Sequence, residues 1–402
     1  MNIVRNLNQI LTLKKAFEKD GRNLLPEDLD IISNGSIVFD DKKIIWVGAD
    51  SQLPKEYLSS KFISGKGKVL TPGIVDSHTH LVFGGDRSFE YTMRLNGADY
   101  EDIAKAGGGI LSTMKNTIEA TNEDLFNTAC ERIDRIYSYG VRAIEIKSGY
   151  ALTFQKEKEL SEIIAKLKEK YKDSVIIHNT YMAAHAVPKE YKSSEQYLNE
   201  IVIKLLNEIS GIIDSVDIFH EDGYFSQNDV ENLFSEAKKL NIPVRIHADE
   251  FNDNKGAVLA TKFNALSADH LLCTTSDGID ALANSKTVAT VLPGTAFFLG
   301  KKLADAKSFL DAGCKVAIAS DYNPGSSHCD NLVLIASIAA KNMNFNISQL
   351  WAAITLNAAS SLNLKNIGSI QKDMSPFFSC FEVDTLDQIT YNWGRNFSTN
   401  LI

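Results

Sequence analysis

No stretch of this chain approaches the ~20 consecutive apolar residues that a membrane-spanning helix needs, so no membrane partner is expected. The opening segment, MNIVRNLNQILTLKKAF, breaks its apolar residues with Asn, Gln and Arg and offers no small-residue cleavage site. A secretory leader is therefore not expected, and a cytoplasmic location is. Cysteine is sparse: Cys130, Cys273, Cys314, Cys329 and Cys380 are widely scattered, odd in number, and form no CxxC pair. That usage suits a reducing compartment and argues against both a disulfide framework and a thiolate zinc site. Basic residues are not in excess. The formal net charge is −9, which makes nucleic acid an unexpected partner. An anionic substrate would have to be captured by a local basic residue against that background. Internal repeats, low-complexity tracts and Pro-rich linkers are also missing.

What is present is an alternation. Short β-rich runs take turns with helical patterns from about residue 73 to 357. The runs are GIVDSHTH (73–80), VRAIEIK (141–147), VIIHNTYMAAH (175–185), VDIFHE (216–221), IPVRIHADE (242–250), LSADH (266–270), VATVLPGT (288–295) and VAIASDYNPG (316–325). Runs that are apolar throughout suit parallel strands buried on both faces. Amphipathic stretches such as EKELSEIIAKLKEKY (157–171) fit the helices between them. Eight such units predict an α/β fold, a (β/α)8 TIM-like barrel over residues 72–357. The flanks do not fit a barrel. Residues 35–50 alternate and turn at Asp40-Asp41 like a hairpin, and β-like runs return around 377–393. Residues 1–71 and 358–402 are therefore expected to build one small β-sandwich domain from both chain termini.

The chain has eight histidines, and most fall at or near the ends of the predicted strands. Strand side chains alternate faces, so His78 and His80 point the same way, roughly 7 Å apart at their Cα atoms. In such barrels the strand C-termini form the face that carries the active site. His247 in RIHADE and Asp321 in ASDYNPG would reach the same mouth. Three imidazoles and a carboxylate suit Zn²⁺, and also Fe²⁺ or Mn²⁺. An ion held there lowers the pKa of a bound water toward ~7, giving hydroxide at neutral pH. Glu250, three residues beyond His247, is a candidate proton shuttle. His270 is placed to polarise a substrate carbonyl or hold the nucleophile. Arg87, nine residues after His78, could grip a carboxylate with paired, charge-assisted bonds. His178 reads as a packing residue, and His220 as facing the mouth. The glycine run AGGGI (106–110) lacks both the GxGxxG and the Walker spacing and reads as a flexible loop.

The ordered motifs PGIVDSHTH, HADE and SDYNPG resemble the metal-dependent amidohydrolase superfamily. Longer matches narrow the resemblance: HTHLVFGGDRSFEYTMRLNGADYEDIAKAGGGI (78–110), EIKSGYAL (145–152), AAHAVPKEY (183–191), SADHL (267–271), LPGTAFFL (292–299) and SDYNPGS (320–326). These are similar to the imidazolonepropionase family, over roughly residues 30 to 370. The resemblance implies hydrolytic ring opening of 4-imidazolone-5-propanoate to N-formimidoyl-L-glutamate, in histidine degradation. It implies one divalent ion per chain, Zn²⁺ or Fe²⁺, on His78, His80, His247 and Asp321. Catalytic roles would fall on Glu250, His270 and Asp321. Substrate contacts would fall on Arg87, Tyr150, His185, Asn323, Gly325 and Ser326.

Two departures stand out. The family's fourth strand usually ends in Phe-Cys-Glu, but His220 occupies the Cys position here. The usual Gly-Lys-x-Ala-Asp stretch of the tail is replaced by GSIQKDMSPFFSCFEVD. Lys147 does not stand where related two-metal enzymes place a bridging lysine, which favours a single ion. Rival readings are a sister amidohydrolase (a deaminase or deiminase acting on another cyclic amide or amidine), a non-catalytic scaffold and a metal store. A homodimer is the expectation from the prevalence of two-fold oligomers.

Overall fold

Strand-forming sequence at the N-terminus gives β1 (Asn2–Leu11), β2 (Ile31–Phe39), β3 (Ile44–Ala49), β4 (Ile63–Ser64) and β5 (Val69–Pro72). These belong to a computed structural model that describes residues 1–401, with residues 100, 101 and 104 described by their backbone alone. The β2–β3 connection turns where Asp40 Oδ1 accepts the backbone N–H groups of Lys42 and Lys43, each at 2.8 Å.

The fully apolar runs become the next eight strands: β6 (Ile74–Asp76), β7 (Val141–Lys147), β8 (Ile176–Ala184), β9 (Ser215–His220), β10 (Ile246–Ala248), β11 (Ser267–His270), β12 (Val288–Val291) and β13 (Val316–Ile318). They pair in chain order, all parallel. Apart from Ile176, every residue in them is buried, as expected of strands covered on one side by helices and on the other by a barrel interior. Helices such as Asn122–Ser138 and Gln227–Lys239 return the chain. Their N-termini are set by Thr121 and Ser226, whose side chains accept from the N–H groups of Asp124 and Asp229.

The ring closes beyond the last residues of β6 and β13 rather than by a ladder between them. Thr79 bridges Tyr322, Asp321 N–H donates to His78 O at 3.0 Å, and His80 N–H donates to Tyr322 O at 2.9 Å. The backbone that shuts the barrel is thus the backbone that carries three of the predicted metal ligands.

The chain ends with β14 (Phe378–Phe381) and β15 (Ser398–Thr399). These join the first five strands in one sheet, ordered β15-β14-β5-β1-β2-β3, with β4 beside β1. Strands β2 and β14 are three places apart, ~14 Å in a flat sheet with ~4.8 Å spacing. Yet the Phe39 and Phe378 rings meet at 5.3 Å. The expected sandwich is therefore one hydrogen-bonded sheet, curled over a core that includes Val4, Leu7, Ile10, Ile37, Leu70 and Cys380. The β-like reading of 377–393 holds only at its start. From Asp387 to Tyr391 the chain is helical, after Gln388 Oε1 accepts Asp384 N–H at 2.8 Å and Gln9 Oε1 accepts Leu386 N–H at 2.7 Å. Those bonds fold the tail back onto β1 instead of extending it.

The N-terminal segment also clamps the barrel's lower end. Arg22 donates to the carbonyls of Ala283, Ser285 and Gly313, just ahead of β12 and β13. Among the described residues no helix is long and apolar enough to cross a membrane.

Candidate metal centre and substrate pocket

His78, His80, His247 and Asp321 converge at the C-terminal ends of β6, β10 and β13. Nε2 of His247 lies 3.4 Å from Nε2 of His80. Asp321 Oδ1 lies 3.7 Å from His78 Nε2 and 3.8 Å from His80 Nε2. A tetrahedron with ~2.0–2.1 Å metal–ligand bonds has edges of about 3.3–3.4 Å, so these spacings fit a single first-row ion. Two overlapping sets, His78/His80/Asp321 and His78/His247/His270, have ligand atoms all within 4.8 Å of one another. His270 thus also stands at ligand distance.

The protonation chemistry suits ligation. Burial drives the imidazoles of His78, His80 and His270 well below the ordinary histidine range, so they are neutral and carry a free lone pair. His78 Nδ1 faces Asp269 Oδ2 at 2.8 Å, which fixes its proton there and leaves Nε2 buried without a partner. His247 Nδ1 is 3.2 Å from Asp217 Oδ2. Burial raises Asp321 to about 6, while Thr295 holds its Oδ2 at 2.5 Å. The backbone here is strained: Asp249, His270, Leu271 and Asp321 adopt φ values of 52°, 80°, 62° and 50°. Left-handed non-glycine residues cost about 1–3 kcal/mol each and cluster at functional sites.

Beneath the histidines lies a fully buried ionic layer. Lys147 Nζ contacts Glu145 Oε1 and Asp217 Oδ2, both at 2.7 Å, and Arg245 Nη2 donates to Asp269 Oδ2 at 3.0 Å. One of its carboxylates, Asp269, orients His78, and another, Asp217, stands beside His247 Nδ1. Lys147 is committed to this layer and contributes no ligand to the cluster. The sequence reading missed Asp217, Arg245 and Asp269. The signal was there: a charge inside a strand buried on both faces must be paired.

The mouth opens into a cavity of about 580 Å³, whose walls include His80, Arg87, Tyr150, His185, Glu250, His270, Asp321, Asn323, Gly325 and Ser326. All of the predicted substrate contacts are brought together there. His185 stacks on His80 with centroids 4.9 Å apart, and Tyr150 lies 5.4 Å from His185. His185 donates from Nδ1 to Gly149 O at 3.0 Å, and burial lowers it to about 4. Glu250 is 3.7 Å from His270 Nδ1, and burial, reinforced by Asp321, pushes it up to about 8.

Several details differ from expectation. Asn323 turns its amide on its own loop: Nδ2 donates to Asp321 O and Ser326 Oγ, and Oδ1 accepts Gly325 N–H and Ser326 N–H. Arg87 is not a free fork, because Glu90 holds its Nε and Nη2 at 2.8 and 2.7 Å. Arg94 and Lys301, unforeseen in the sequence, add two cations to the walls. His220 does not face the mouth. Its ring lies between Phe225 O at 2.9 Å and Asn254 O at 3.2 Å, tying the end of β9 to the loop after Glu250. Neighbouring Glu221 holds that loop through Phe251 N–H, Asn252 N–H and the Asn254 amide. His178 is a packing residue, paired with Ser215 at 2.9 Å.

The model of the Amidohydrolase family matches residues 69–396. Imidazolonepropionase from Bdellovibrio bacteriovorus is 36% identical over 388 residues, covering 95% of this chain and 90% of its own length. The Bacillus velezensis imidazolonepropionase is 38% identical, covering 98% and 93%, and that of Staphylococcus aureus 38%, covering 98% and 94%. Among solved structures, a mutant atrazine chlorohydrolase from Arthrobacter aurescens TC1, complexed with zinc and atraton, superposes with a TM-score of 0.72 at 14% identity. It covers 96% of this chain and 88% of that one. Guanine deaminase from C. acetobutylicum, with bound guanine, gives 0.65 at 16% identity, covering 94% and 90%. These two likenesses reach the fold alone.

Proposed function

This chain belongs to the amidohydrolase family, within its imidazolonepropionase branch, and from that premise we infer that it opens the ring of 4-imidazolone-5-propanoate to N-formimidoyl-L-glutamate, a step of histidine degradation. It is a hydrolase acting on a cyclic amide C–N bond, and it uses a divalent metal ion. The observation that carries the reading is the meeting of His78, His80, His247 and Asp321 at the floor of a cavity whose wall also carries the guanidiniums of Arg87 and Arg94. A substrate that carries a carboxylate gives those guanidiniums a partner, which a neutral nucleobase does not. The deaminase alternative rests on likeness of fold.

In this reading the three histidines and Asp321 hold one ion per chain, Zn²⁺ or Fe²⁺. When bound, the ion acts as a Lewis acid that lowers the pKa of water and polarises a carbonyl. The rest is the work of side chains. Arg87 binds the propanoate with charge-assisted hydrogen bonds. Tyr150 and His185 orient the ring, while Gly325 and Ser326 border it beside the loop that Asn323 shapes. His270, kept neutral by burial, offers an N–H to the carbonyl oxygen as negative charge develops there. Glu250 and Asp321 accept the proton released by the attacking water. Burial and Asp321 hold Glu250 up to about 8, and a cation in the cluster would oppose that shift, so the carboxyl would be able both to take and to give a proton. Glu250 then protonates the departing ring nitrogen, and the C–N bond breaks.

The test is to incubate purified protein with freshly made 4-imidazolone-5-propanoate and identify the product by mass spectrometry. N-formimidoyl-L-glutamate is expected, with about one transition-metal ion per chain. Turnover of guanine, cytosine or cyclic ureas in its place would transfer the assignment to a sister activity.

A further inference from the structure

The glycine run that matches no phosphate-binding pattern closes on a specific partner. Gly109 N–H donates to Glu90 Oε1 at 2.7 Å, and a Cβ at Gly108 would sit 2.8 Å from the same oxygen. Glu90 lies on the helix Ser88–Leu95 and is only 4% exposed. Its other contacts are the two cations of that helix region. Arg87 meets it with Nε and Nη2, and Arg94 Nη2 stands 3.9 Å away while Arg94 Nη1 donates to Gly325 O at 3.0 Å.

Two consequences follow. One carboxylate between two guanidiniums leaves the Arg87–Glu90–Arg94 group with a single net positive charge, and a propanoate brings a single negative one. The second is geometric. A guanidinium presents its N–H groups as a planar fork with two usable edges. Glu90 occupies the side edge of Arg87, formed by Nε and Nη2. The end edge, formed by Nη1 and the outer N–H of Nη2, is left. A Cβ at Gly325 would fall 1.9 Å from Nη1 and 2.5 Å from Cζ, so Gly325 covers the face of the guanidinium and leaves that edge unoccupied by Glu90.

We propose that Glu90 is a positioning residue for substrate recognition: it turns the Arg87 guanidinium so that the end edge meets the substrate carboxylate, with Arg94 as the second cation of that subsite. This rests on the ring-opening reading above. Burial works against an ionised Glu90, but Arg87 and Gly109 N–H outweigh it and hold the carboxyl below its ordinary range, so it is a permanent anion at neutral pH.

The experiment pairs kinetics with calorimetric binding of imidazole-4-propanoate and of its neutral amide. Wild type, Glu90→Gln, Glu90→Asp, Arg87→Ala and the Glu90→Gln/Arg87→Ala double variant are compared, with melting curves and metal content alongside. A charge-assisted contact of this kind is worth roughly 10–100-fold. Glu90→Gln should raise KM and the carboxylate Kd by about that factor, with kcat within about 3-fold and amide binding nearly unchanged. Glu90→Asp should recover part of the loss, and Glu90→Gln should add nothing once Arg87 is Ala. Equal losses for carboxylate and amide would reduce Glu90 to a structural role and overturn the proposal. Tighter carboxylate binding in Glu90→Gln would overturn it too, by making Glu90 a competitor. Wild-type protein that binds the carboxylate in preference to the amide but turns over no imidazolone propanoate would sink the ring-opening reading while leaving Glu90 to be judged by binding.

Discussion

Among the described residues, every buried side-chain nitrogen or oxygen without a hydrogen-bond partner lies between Asp76 and Asn357, and none lies in the curled terminal sheet. The sheet is built to be satisfied. Its apolar residues face one core, and its buried-edge ion pair is complete, with Arg5 forking onto both oxygens of Asp50 at 2.8 Å and Ser36 donating to Asp50 at 2.5 Å. The barrel mouth is built to be incomplete. It holds unpartnered nitrogens on His78, His80, His247 and His270 and a run of left-handed non-glycine residues. Unsatisfied buried polar atoms cost about 1–3 kcal/mol each, and the imidazole nitrogens among them are gathered at one place, where a ligand can complete them. Stability and chemistry have been assigned to different parts of one chain.

The contrast can be tested at both ends. Glu250→Gln should lower kcat on the order of 10²–10⁴ while the metal content stays at one ion per chain, because it removes a proton carrier and no ligand. Elemental analysis beside steady-state kinetics reads both. Leu7→Ala in the sheet should do the reverse. Leu7 is wholly buried, so about 2–5 kcal/mol of unfolding free energy should be lost in a denaturant titration, with KM and kcat at low temperature unaltered. A catalytic defect in this variant would mean that the two regions are coupled after all. Asp269→Asn probes the layer between them. Losing the carboxylate that orients His78 should weaken metal binding roughly 10–100-fold, measured by competition with a chelator. The smallest effect belongs to Asp50. Its hydrogen bond to Arg5 lowers it to about 2, so its contribution is complete above the unfolded carboxylate range and fades as pH falls from ~4 toward ~2. The stability gap between wild type and Asp50→Asn, followed by thermal melting, should therefore be constant near neutrality and narrow in that acid window.

Much of the site could be read from local pattern. An apolar run ending in alternate histidines announces both a strand end and a pair of nitrogens on one side. The order of HADE and SDYNPG along the chain follows from the order of strands around the barrel. Glu90 was within reach as well, since a carboxylate three residues after Arg87 on a helix start is its neighbour. The orientation of His220 was not. Its ring is fixed by Phe225 O and Asn254 O, and the second comes from a loop 34 residues further along the chain.

Composition and periodicity alone were enough to specify eight parallel strands, candidate ligands at the strand ends, and a terminal β region outside the barrel, because each depends on side-chain type and on spacing along a segment or the order of segments. Closure at Thr79 and Tyr322 and the Asp217–Lys147–Asp269–Arg245 layer beneath the histidines came only with the folded chain. Those arrangements depend on where a charge finds its partner once water is gone, and the partners stand on other strands and loops, brought within 3 Å by the curvature of the barrel.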